Sequence, residues 1–92
     1  MKTEIILKEE ISALRFPLAE VLTEAQSIQS RNKALALAMQ LGNSLKHKVK
    51  ILFKDFYKVQ MVETTVWFAN EQHVVLKGGV VIPTARIIKI NL

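Results

Sequence analysis

The sequence predicts an α+β fold, in which an N-terminal helix or helix pair packs on a small five-stranded antiparallel barrel. Three observations carry this expectation. Up to residue 41 the chain has no glycine and its apolar residues recur at helical spacing. From residue 49 onward Val, Ile and aromatic residues come in short alternating runs separated by Gly, Pro and Asn. At 92 residues the chain is the size of one small domain, read as a helical segment over 1–42 followed by a barrel over 43–92.

Leu7, Ile11 and Leu14 form a short helical stripe with Thr3 as its N-cap, although an extended start over residues 3–7 fits the same residues. Pro17 then opens a helix, because proline fits a first helical turn and disrupts an interior. Leu18, Val21, Leu22, Ala25, Ile28, Leu35 and Met39 continue one face, and Gly42-Asn43 supplies a stop. Residues 26–33 are polar except for Ile28, so this helix either breaks near Ser30 or leaves the core there. Unbroken, it would measure about 37 Å and overhang a barrel about 25 Å across. Ala34, Leu35, Leu37, Ala38, Met39 and Leu41 are apolar on more than one side, which calls for a second helix in an αα-hairpin or for a second copy of the chain.

Residues 48–54 read as a half-buried strand with Val49, Ile51 and Phe53 inward and Lys48, Lys50 and Lys54 outward. A long strand follows over 59–68, with Val62, Thr64, Val66 and Phe68 facing the core and Met61, Glu63, Thr65 and Trp67 facing away. Residues 69–72 form a turn in which Asn70 suits a left-handed conformation. A strand over 73–76, a tight turn at Lys77-Gly78-Gly79 and a strand over 80–82 make a hairpin. Pro83 ends that ladder, residues 84–86 make one short turn, and residues 87–92 form the last strand.

The stretch HVVLKGGVVIPTARIIKINL is similar in rhythm to the last three strands of Sm-like proteins, and the order of one helix then five strands resembles SH3-like and Sm-like barrels in general. VETTVWFANEQHVVLKGGVVIPTARI, preceded by LGNSLKHKVKILF, also resembles small uncharacterised bacterial proteins, a likeness that implies no activity. The sequence departs from the Sm-like pattern in lacking a glycine in the second strand and in reading PTAR before the last.

Composition narrows the chemistry. There is no cysteine, which removes thiolate nucleophiles and sulfur-ligated zinc. The longest apolar run, residues 34–39, is too short to span a bilayer, and acids follow a three-residue apolar run at the start, unlike a secretory signal. A cytoplasmic protein without membrane contact is the expectation. His47 and His73 lack an oriented partner, and neither an elbow around a nucleophile nor a phosphate-binding loop is present. No enzyme, cofactor or metal site is expected.

Charge is the stronger signal. Through Gly42 five basic residues balance five acidic ones, whereas eight basic residues face three acidic ones afterwards, so the whole net charge of +5 lies in the second half. Lys46, Lys48, Lys50, Lys54 and Lys58 would line one edge of the barrel, with Phe56 and Tyr57 beside them. Such a stripe either binds single-stranded nucleic acid, RNA above all, or protects an exposed edge strand from aggregation. The outward-facing Trp67 is either the apolar seat that the N-terminal helix covers, the favoured reading, or offered to a partner, and Leu37, Leu41, Met61 and Trp67 form the candidate protein interface. The reading places a non-enzymatic binding module that acts through protein interaction or self-assembly as a homo-oligomer first, and RNA binding through the lysine stripe second.

Overall fold

A computed structural model describes residues 3–92. The α+β class is observed, but the strands form two sheets and no single five-stranded barrel. Seven strands are present among the described residues: β1 (Ile5–Ile6), β2 (Val49–Lys54), β3 (Val59–Thr64), β4 (Val66–Ala69), β5 (His73–Leu76), β6 (Val81–Pro83) and β7 (Ile87–Asn91). The larger sheet has the order β1-β3-β2-β7 and the smaller the order β4-β5-β6. The long strand expected over 59–68 is divided at Thr65, and its two halves belong to different sheets. Thr64 and Thr65 are therefore both buried, which strict alternation does not allow. A register shift between Val66 and Phe68 turns Phe68 outward, to 47% exposure, where the core was expected.

The helix is also displaced from its expected place. Helix α1 spans Ala25–Leu45, starting eight residues after Pro17 and running through Gly42. Residues 14–24 form an irregular, non-helical segment, and no second α-helix exists among the described residues to make an αα-hairpin. Phe16 precedes Pro17 and is thereby held out of the helical region; its ring packs 6.0 Å from that of Phe53. Lys8–Ala13 forms a 3-10 helix that starts at Leu7, whose N–H donates to Glu10, so Thr3 caps nothing. Ile5–Ile6 takes the extended alternative, parallel to β3.

α1 does not break at Ser30. Its buried face is Arg31, Leu35, Ala38 and Gly42, so residues 25–30 lie outside the core, as the second alternative has it, and of the polar stretch Arg31 alone is buried. At 21 residues the helix measures about 31 Å, within the 33 Å longest dimension of the molecule, and the overhang disappears.

Gly42 is no stop. It lies against the backbone of Val66, and a Cβ there would collide with the Val66 carbonyl oxygen and meet Thr65 Cγ2 at 3.0 Å. Helix termination falls instead to Lys46, in the left-handed conformation at φ 53°, with the Lys46 N–H donating to the Gly42 carbonyl and the His47 N–H to Leu41.

α1 leans on one terminal strand of each sheet. Arg31 Nη1 donates to the Ile87 carbonyl of β7 at 3.1 Å, and the Ala69 N–H of β4 donates to Met39 Sδ at 3.3 Å. Between the sheets lies the core of Phe53, Ile51, Val62, Val66, Leu76, Ile82 and Ile87, closed by Leu35 and Ala38 from α1 and by Ile11 from the 3-10 helix.

The second half follows the sequence more closely. β5 has its expected bounds, and Gly78 and Gly79 both take positive φ (88° and 84°), as a tight hairpin turn requires. Thr84–Arg86 is one 3-10 turn. Asn70 works differently from expectation: it is not left-handed, and its Oδ1 instead accepts the N–H groups of Gln72 and His73.

Candidate functional site: a lysine-flanked tryptophan cleft

Trp67 is 48% exposed and sits where β4, the end of α1 and the Lys77 hairpin meet. It lines a cleft of about 370 Å³ with Gly42, Asn43, Lys46, Lys48, Thr65 and Lys77. Each contributor is positioned by a different part of the fold. The left-handed residue at the helix end brings Lys46 round, and Lys48 precedes β2. Lys77 is anchored by its own N–H, which donates to the Thr65 carbonyl at 2.9 Å, two residues before Trp67. Gly42 lets the helix end approach β4 closely enough for the indole to form a wall.

No carboxylate lines this cleft, and none of its three lysines belongs to an ion pair among the described residues. The carbonyl end of α1 opens nearby, so Lys46 offsets the negative end of the helix dipole while Lys77, from the hairpin, adds charge beyond that. An aromatic face beside surplus ammonium groups is the arrangement that stacks a planar ring and holds an attached anion.

The expected stripe of lysines does not form one site. Lys46 and Lys48 lie at one end of β2, and Lys54 and Lys58 at the other, about 20 Å away at the rise of an extended strand. Lys50 stands between them on the outer face, opposite Glu63 and Asn91. Lys58 is within 3.7 Å of Glu4. β2 is moreover an interior strand, paired on both sides, so its lysines do not guard an open edge.

Phe56 and Tyr57 are exposed by 60% and 76% and stacked edge to face at 5.1 Å. Their turn is held from beneath by Asp55, 2% exposed, whose Oδ1 accepts the N–H groups of Tyr57 and Lys58 while Oδ2 accepts Gln60 Nε2, all at 2.7 Å.

The candidate interface residues are dispersed. Leu37 and Leu41 are on α1, Leu37 being 43% exposed. Met61 is half-buried on the outer face of the larger sheet, between Ile5 and Leu52, and Trp67 is in the cleft. His47, His73 and Glu63 are exposed.

Two functional-looking groups are not evident from the sequence. Lys77 presents itself there only as a turn residue; the register pairing Val66 with Leu76 is the signal that places it beside Trp67. Arg31 is 5% exposed and forms a bidentate pair with Glu20 at 2.6 and 2.7 Å. Burial alone pushes the Glu20 carboxyl up, but the Arg31 hydrogen bonds and the Leu22 N–H outweigh it and hold the group below the usual carboxylate range.

No helix among the described residues is long and apolar enough to cross a membrane. Compared with protein-family models, curated proteins and solved structures, the chain matches none.

Proposed function

We propose that the protein is a non-enzymatic module that binds single-stranded nucleic acid, with one base stacked on Trp67 and the adjoining phosphates held by Lys46, Lys48 and Lys77. The observation that carries this reading is the half-exposed indole in a cleft with three unpaired ammonium groups and no acid among the described residues. Stacking tolerates any base and lysine reads no sequence, so binding should be broad and salt-dependent. The return of β7 to pair with β2 after a single 3-10 turn supports a kinship with SH3-like and Sm-like domains within the same proposal.

Trp67 is the sole tryptophan, so its fluorescence reports the cleft directly. Short RNA and DNA oligonucleotides titrated at low and near-physiological salt should quench it, and Trp67→Ala, followed by the anisotropy of end-labelled oligonucleotides, should weaken binding about tenfold or more, from the worth of one stacked base. Charge reversal of Lys46, Lys48 and Lys77 should flatten the salt dependence by about 0.7 for each phosphate no longer neutralised. Unchanged affinity and salt slope in that triple variant would sink the proposal.

Self-association is a second reading, favoured by the row Ile5, Met61 and Leu52 across the outer face of the larger sheet, in which Ile5 is 60% exposed. Light scattering of the parent and of Met61→Lys tests it: a concentration-dependent dimer abolished by the substitution supports it, and a monomer at all concentrations removes it.

A further inference from the structure

The chain buries two arginines, and it treats them differently. Arg31 has a carboxylate on its fork, whereas Arg86, 6% exposed, has none among the described residues. Arg86 Nε donates to the Lys54 carbonyl at 3.1 Å and Nη1 to the Ala19 carbonyl at 2.6 Å. These bonds fix the guanidinium between β2 and the irregular segment before α1 without neutralising it. Nη2 makes no hydrogen bond among the described residues. Since no fully buried side-chain nitrogen or oxygen there lacks a partner, Nη2 is the corner of the fork that stays open.

Beside Arg86 lies a cavity of about 450 Å³, which Lys54, Glu20 and the apolar side chains of Val21, Val59 and Ile88 also line. Both Glu20 oxygens are engaged by Arg31, and Oε2 also accepts the Leu22 N–H. The cavity therefore holds two cations whose charge no group among the described residues balances. A buried cation without a counter-charge is costly, and a guanidinium already oriented by two carbonyls is pre-formed for an oxyanion.

We propose that this cavity is a phosphate site, with Arg86 as its anchor and the Lys54 ammonium as its second contact. A phosphate suits it better than a carboxylate, because two positively charged residues line the cavity and a phosphate can carry two negative charges. The site is separate from the Trp67 cleft, at the opposite end of β2, and stands whether or not the cleft binds nucleic acid.

The test uses ¹⁵N-labelled full chain titrated with inorganic phosphate at constant ionic strength, with chloride as the control. The Arg86 Nε–H signal and the amides of Val21 and Ile88 should shift saturably, while the Trp67 indole signal stays in place. Lys54→Ala removes the ammonium but keeps the carbonyl that holds Arg86, and should weaken phosphate about fivefold, from the loss of one charge-assisted hydrogen bond. Arg86→Lys, which keeps the charge and loses the fork, should weaken it further. A parallel titration with a 5′-phosphorylated dinucleotide identifies the source: tighter binding than inorganic phosphate assigns the site to a nucleotide's terminal phosphate, and equal binding to free phosphate. Shifts no larger than those with chloride, or phosphate affinity indifferent to Lys54→Ala, overturn the proposal and leave the Trp67 reading intact. Loss of the Trp67 response to oligonucleotide with the phosphate response retained does the reverse.

Discussion

Gly42→Ala should destabilise the protein even though alanine is the better helix former. Within a helix interior the exchange gains about 1 kcal/mol from propensity. Against that, the new methyl would overlap the Val66 carbonyl oxygen and stand 3.0 Å from Thr65 Cγ2 and 3.3 Å from the Val66 carbonyl carbon. Two of these three obstacles are backbone, which cannot swing aside, so α1 must withdraw from β4. A gap of about 0.5–1 Å already forfeits a quarter to a half of each van der Waals attraction, and the penalty falls at Ala38 and Met39 as well as at residue 42. Taking about 3 kcal/mol as the upper end of overpacking cost, the net effect is a loss of about 2 kcal/mol, or a Tm about 8–16 °C lower for a domain of this size. Urea unfolding followed by circular dichroism and by Trp67 fluorescence measures it, and because the cleft shares Gly42, the native emission should shift too. Ala36→Gly, at an exposed site on the same helix, isolates the propensity effect at about 1 kcal/mol. A Gly42→Ala variant as stable as the parent, or more so, refutes the close-approach argument.

Lys46→Gly should raise stability by about 1 kcal/mol in urea, since it relieves the cost of a left-handed non-glycine residue, while weakening polyanion binding. Asp55→Ala should cost about 2–4 kcal/mol because two backbone N–H groups and Gln60 lose their acceptor, and Asp55→Asn should cost less by retaining one oxygen for the two N–H groups, although its amide nitrogen offers Gln60 no acceptor. Arg31→Ala should cost about 2–4 kcal/mol by chemical denaturation, since it strands the Glu20 carboxylate and the Ile87 carbonyl. The folded protein holds the Glu20 carboxyl below its unfolded value, so the unfolded chain binds more protons in acid. Stability from this pair is therefore complete above the ordinary carboxyl range and lost as pH falls through the lowered value, and Glu20→Gln should reduce the acid dependence of urea midpoints.

Features set by neighbouring residues were legible in the sequence. The Lys77-Gly78-Gly79 hairpin, the strand His73–Leu76 and the turn at Thr84–Arg86 are specified within a few positions, and all three are present. Features set by distant partners were not. Leu18, Val21 and Leu22 have helical spacing, yet Leu18 is 96% exposed and the segment is not helical. Its shape comes from the Val21 N–H on the Ala85 carbonyl, from Arg86 on Ala19 and from Arg31 on Glu20, all more than ten residues apart. Gly42 looked like punctuation because a glycine chosen for close packing and one chosen for a turn are the same letter. The lysines were visible as a charge excess, but their separation into two groups follows from the length of β2, and the membership of Lys77 follows from a strand register.

α1 occupies the outward side of β4 in one sheet and of β7 in the other, so a single event, its detachment, would bare two pairing templates together. Partial unfolding should then be a more aggregation-prone route than its extent of lost structure suggests. Amides of Ala69 and of residues in β7 should exchange with solvent as one cooperative unit with those of the helix, and conditions that loosen α1 should promote intermolecular β-structure before the core itself opens.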